Sequence, residues 1–154
     1  MNNLNYIFFE EFKKLEKLCG EMYGSHNGVT NYIDDMKDVP YSNYRDIPNW
    51  EDDLSQLKKM RHIRNNLAHE EGAFAKKVCT QNDIRWIQTF IKRIMNQSDP
   101  LAIQHRNKKN KKNQKNKKNQ KKRTLLSKVG IFFVAVLLVI LMVFIMKTYL
   151  GINF

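Results

Sequence analysis

The run Arg61-His62-Ile63-Arg64-Asn65-Asn66-Leu67-Ala68-His69-Glu70 holds the densest set of side chains in the sequence that can do chemistry. Arginine grips phosphate through a planar fork, asparagine can orient a scissile group, and histidine exchanges protons near neutral pH. On a helix turning about 100° per residue, Arg64 falls near −60° from Arg61, Ala68 near −20°, Asn65 near 40° and His69 near 80°. Two arginines, an asparagine and a histidine therefore share one side, a combination suited to phosphodiester chemistry. No cluster of Asp or Glu accompanies them, so the expected chemistry uses no metal and no cofactor.

The helix that must carry this face starts after Pro48, with Asn49 as its N-cap and Glu51, Asp52 and Asp53 in the first turn, where the helix dipole favours anions. It is expected to run to about Glu71 and stop at Gly72. Trp50, Leu54 and Leu57 lie on the same side as the polar residues, so a packing surface turns polar without turning away. Met60, Ile63 and Leu67 open a second apolar stripe that can take over the core. The Trp50, Leu54 and Leu57 surface has no evident partner within one chain, which points to a homodimer through the second and third long helices.

Elsewhere, Phe8, Phe12, Leu15, Cys19 and Met22 recur at three- and four-residue steps and predict a first helix from about Leu4 to Tyr23, ended by Gly24. Residues 25–48 contain Gly28, Pro40 and Pro48, and read as a long loop with one short helix. Thr80 and Asp83 predict a capping box for a third long helix with Ile84, Ile87, Ile91 and Ile94 on its apolar face. Ser98, Asp99 and Pro100 close it, with one further turn over 101–105. The fold class is thus all-α. Trp50 and Trp86 read as packing anchors, His26, His62 and His105 as bystanders, and the two cysteines, Cys19 and Cys79, as reduced structural residues.

The formal net charge of +12 invites a nucleic-acid reading of the whole chain, but its distribution says otherwise. Residues 1–105 carry 14 Lys and Arg against 15 Asp and Glu, a net charge of −1. The excess sits in 106–123, where nine lysines and two arginines alternate with Asn and Gln and no apolar residue occurs. That composition predicts a disordered linker over 106–127, either a plain tether or a segment touching anionic lipid headgroups, with RNA a third option. From 129 to 146 every residue is apolar or glycine, flanked by Lys128 and Lys147. A helix of that length rises roughly 27 Å, so the expectation is one transmembrane helix over 128–149 and a short tail over 150–154. The N-terminus lacks a signal-like start, and the basic residues precede the apolar run. Together these predict a tail-anchored, single-pass membrane protein with domain 1–105 in the cytosol.

Arg64-Asn65-Asn66-Leu67-Ala68-His69 resembles the hallmark of the HEPN family (higher eukaryotes and prokaryotes nucleotide-binding): Arg, a polar residue, three variable residues and His in a helix. The resemblance covers roughly residues 4–97. It implies an up-and-down four-helix bundle that dimerises, bringing two motifs into one cleft. Many members are metal-independent endoribonucleases of toxin, anti-phage and RNA-surveillance systems, and others are binding modules. By this resemblance His69 is the general acid or base, Arg64 holds the scissile phosphate of single-stranded RNA, and Asn65 positions the attacking 2′-hydroxyl or the histidine. Arg61 is an RNA-backbone contact. A regulatory protein partner would restrain such an enzyme. Structural alternatives stand beside these roles: His69 would simply favour the negative end of the helix dipole, and Arg64 would pair with Glu70, Glu71 or a carboxylate of the first helix.

Overall fold

The computed structural model describes the backbone of residues 3–150 and the side chains of 4–122, 130 and 132–146. Its elements are all helical: α1 (Asn3–Tyr23), α2 (Gly28–Asp38), α3 (Tyr41–Tyr44), α4 (Trp50–His69), a 3-10 turn (Ala73–Ala75), α5 (Gln81–Met95) and α6 (Pro100–Leu150). The chain divides into two compact units, Met1–Lys108 and Lys109–Phe154.

In the first unit Phe8, Phe12, Leu15 and Cys19 form the buried stripe of α1, while Met22, at the same spacing, is exposed. Residues 25–48 hold two helices instead of one: α2, where Val29, Tyr32, Ile33 and Met36 repeat at helical steps and are all fully buried, and the four-residue α3 in addition. α2 lies so close to α1 that a Cβ on Gly28 would meet the Gly20 nitrogen, and would sit 2.5 Å from the Cys19 carbonyl carbon and 2.7 Å from the Glu16 oxygen. Only glycine fits there. Asn49 occupies the expected N-cap position of α4, its carbonyl accepting the Asp53 N–H at 2.8 Å, but in the left-handed region (φ 58°) its side chain makes no capping bond. At α5 the predicted capping box is present: Asp83 N–H donates to Thr80 Oγ1, and Thr80 N–H to Asp83 Oδ2 at 2.9 Å.

Trp50, Leu54 and Leu57 are 3%, 8% and 0% exposed, so the surface expected to await a second copy is already covered within the chain. Trp50 stacks on Tyr44 at 4.8 Å, in the segment read from sequence as loop. Polar ties lock the helices in register. Arg93 donates two hydrogen bonds to the buried carboxylate of Asp53 (2.8 and 2.7 Å), joining α5 to α4. Tyr32 donates to Asp99, which also accepts the Ala102 N–H and so caps α6, with Pro100 at the helix's first position. Fully buried Asn5 donates to the carbonyls of Ala73 and Lys76 and accepts from Cys79, fixing the turn that follows α4.

The sequence 106–127, expected as a disordered linker, is helical as part of α6. Neither proline nor glycine interrupts it between Pro100 and Gly130, and Lys, Gln and Arg rank among the better helix formers. The expected membrane anchor is overturned: among the described residues no helix is long and apolar enough to cross a membrane, so the single-pass membrane localisation falls with it. The described apolar side chains run continuously only over 132–146, a rise of about 22 Å against roughly 30 Å of hydrocarbon core. The flanking side chains of 128, 129, 131 and 147–150, and residues 151–154 of the predicted tail, lie outside the described residues.

Cys19 and Cys79 are free and buried. Burial pushes the Cys19 thiol up to about 12, with Glu16 and Asp99 adding to the effect. Burial, with Asp83 beside it, also raises Cys79. A thiol needs its thiolate to react, so iodoacetamide at about pH 8 is expected to leave both unlabelled in the native protein and to label both after unfolding in guanidinium. Mass spectrometry reads this directly, and rapid native labelling of Cys19 would contradict the close α1–α2 approach that buries it.

Candidate functional site

Met60, Ile63 and Leu67 point the core-facing side of α4 inward, at 0%, 6% and 3% exposure, and thereby set the rotation of the motif. Arg61 and Arg64 become half-buried, whereas Asn65, Ala68 and His69 are exposed. The shared side read from the sequence is therefore divided. Its arginines turn toward α1 and α2, and its asparagine and histidine toward solvent, one helical turn apart in the same surface row.

Half-buried Glu16 of α1 is the residue the arginines face. Burial raises its carboxyl above the ordinary glutamate range, and the Gly28 and Val29 N–H groups at the start of α2, with Arg64 and Arg61, offset part of that rise. Attraction to Glu16 matches the alternative in which Arg64 is held by a carboxylate of the first helix, although the two make no direct ion pair among the described contacts. Arg61 Nη1 donates to Thr30 Oγ1 at 3.4 Å, and Arg64 Nη1 donates to Asn65 Oδ1 at 3.1 Å. On the neighbouring edge His62 Nε2 lies 3.4 Å from Asn66 Nδ2.

His69 ends α4. The Glu70 N–H closes the last helical bond onto the Asn66 carbonyl, and Gly72 (φ 71°) turns the chain into the 3-10 segment. Among the described residues no hydrogen bond joins His69 to Arg64 or Asn65, so the structure groups Arg61, Arg64 and Asn65 with Glu16 and Thr30 and leaves His69 exposed at the end of α4. Glu16 also lines an open groove of about 710 Å³ along α1, with Lys13, Lys14, Lys17, Gly20 and His26 among the other lining residues. Sequence reasoning missed both Glu16 and Thr30. A signal for Glu16 was present, since it stands four residues after Phe12 and three before Cys19, on the flank of the core stripe where a carboxylate is costly without partners.

The raised Glu16 carboxyl has a sign that can be tested. A group whose folded value lies above its unfolded value favours the fold at low pH and loses that contribution as pH rises through the folded value. Wild-type stability is therefore expected to decline as pH climbs from the ordinary glutamate range toward neutral, and Glu16→Gln to flatten the profile in that window. Urea midpoints across the range check this; identical slopes would place the carboxylate in solvent.

No curated protein and no solved structure matches the chain. A family of unknown function (DUF6548) matches residues 6–128, a stretch that takes in Glu16, the whole Arg64 to His69 motif and the basic part of α6. On that match, which spans most of its length, the chain belongs to this family.

Proposed function

We propose that the chain is a metal-independent endoribonuclease of the HEPN type, acting as a homodimer on single-stranded RNA. The observation that carries the reading is the end of α4, where Asn65 and His69 stand exposed in one row while Arg64, hydrogen-bonded to Asn65, is held beside them. His69 takes the proton of a 2′-hydroxyl, the 2′-oxygen attacks the adjacent phosphorus, and the bond to the 5′-oxygen breaks. The leaving oxygen takes a proton from the imidazolium of a second His69, which a two-fold dimer supplies. The products are a 2′,3′-cyclic phosphate and a 5′-hydroxyl. Arg64 binds the non-bridging oxygens and stabilises the charge that grows on them, Asn65 orients the nucleophile, and Arg61 contacts the neighbouring phosphate. Because the Trp50, Leu54 and Leu57 face is buried, such a dimer would join through the exposed motif edge.

One observation favours a second reading, a non-enzymatic interaction module of the same family type. Glu16 and Thr30 already engage the two arginines, and the first 105 residues are near neutral, which offers RNA little long-range attraction. The experiment that separates the two is incubation of purified protein with labelled single-stranded RNA in excess chelator. Fragments ending in cyclic phosphate are expected; intact RNA at high enzyme concentration would favour the interaction module.

A further inference from the structure

Within the second unit, the lysines of α6 are ordered on the helix in a way their low-complexity sequence conceals. Setting Lys111 at 0°, Lys115 falls near 40°, Lys118 near −20° and Lys122 near 20°, a stripe about 60° wide. Successive members are separated by about 4.5 to 6 Å along the axis. Lys109, Lys117 and Lys121 lie about 90° or more from its centre. All of these side chains are exposed. Among the described residues none forms an ion pair, and the sequence contains no Asp or Glu after Asp99 that could neutralise them from within the unit.

We infer that this stripe is a binding site for the sugar-phosphate backbone of single-stranded RNA, read without regard to sequence. A narrow linear row of cations fits a linear polyanion. Segment 106–123 has no apolar residue, so it lacks the face by which an interfacial helix enters a lipid surface. Flanking the stripe, each about 70° from its centre, stand Gln114 and Asn119, whose amides both donate and accept, as contacts to ribose and bases require. Holding RNA here gives the chain the electrostatic attraction its near-neutral first unit does not provide. The choice of RNA as the polyanion rests on the ribonuclease reading.

Two variants of equal net charge test it in the full-length protein carrying His69→Ala. One combines Lys111→Gln, Lys115→Gln and Lys118→Gln; the other combines Lys109→Gln, Lys117→Gln and Lys121→Gln. Glutamine matches lysine closely in helix propensity, so α6 persists in both. Binding is followed by anisotropy of a fluorescent 2′-O-methyl RNA, which cannot be cleaved, across a salt series. The stripe variant should bind roughly tenfold or more weakly near physiological salt, with the slope of log K against log salt reduced by about 2, as expected when three phosphate contacts to a single strand are lost. The other variant should lose less than about threefold. Equal losses in the two variants would overturn the stripe, as would no measurable binding, or displacement of the RNA by phosphatidylserine vesicles at equal anionic charge. Since the probe cannot react, failure here is distinct from failure of the ribonuclease reading, which chelator-resistant cleavage decides.

Discussion

Gly28→Ala is expected to destabilise the first unit by about 3 kcal/mol, near the upper end of what one added methyl costs in a packed interior. The methyl would meet main-chain atoms of Glu16, Cys19 and Gly20, which cannot rotate aside as the end of a side chain would. α2 would have to lift off α1. That movement would also withdraw the Gly28 and Val29 N–H groups from Glu16 and Thr30 from Arg61, loosening the group that holds the motif's arginines. Urea unfolding should show a midpoint well below wild type, and Cys19, sealed by the same approach, should become reactive to iodoacetamide. Gly24→Ala provides the comparison, because that position has φ of 60° but open space around its Cβ. Its cost should be only about 1 kcal/mol, the strain of a left-handed residue. Equal and small losses in the two variants would mean that the helices do not touch at Gly28.

Local rules made the long helices legible before any coordinates. The α1 stripe, the Thr80 to Asp83 capping box and the second stripe of α4 each follow from spacing within one element, and each is present. What spacing does not encode is which element faces which. The wheel of α4 puts Trp50, Leu54 and Leu57 on a surface that calls for a second copy, yet α4 packs with α1 and α2, and Trp50 stacks on Tyr44 of α3, the helix of 25–48 that spacing does not announce. Packing between elements, which spacing within α4 does not give, thus covers the whole face. The site follows the same pattern. Arg61, Arg64, Asn65 and His69 were identifiable from residue type and order, but Glu16 and Thr30 join them only through the α1–α2 approach at Gly28, a tertiary fact. In the second unit, composition argued for disorder over 106–127, while the absence of helix breakers and the propensity of Lys and Gln carry the helix through it.

Removing the imidazole with His69→Ala is expected to slow RNA cleavage by about 10²- to 10⁴-fold, the usual worth of a general acid or base. The effect falls at the top of that range if both protonation roles come from the two copies of one residue, since a single substitution then deletes both. Arg64→Ala should cost a similar factor for a different reason, losing the fork that neutralises the non-bridging oxygens, and Arg64→Lys should recover only part because a point charge cannot bind bidentately. None of these changes should unfold α4, for Ala is the best helix former and His69 and Asn65 are exposed. The separation of roles is the stronger test: His69→Ala should leave binding of 2′-O-methyl RNA unchanged while slowing cleavage, whereas the Lys111, Lys115 and Lys118 variant of α6 should weaken binding and leave the chemical step at saturating RNA intact. Growth of cells expressing each variant gives a second reading, with toxicity lost alongside His69. If cleavage in chelator, or toxicity, survives both His69→Ala and Arg64→Ala, the motif is not a nuclease centre, and the pairing of its arginines with Glu16 and Thr30 becomes the mark of an interaction module.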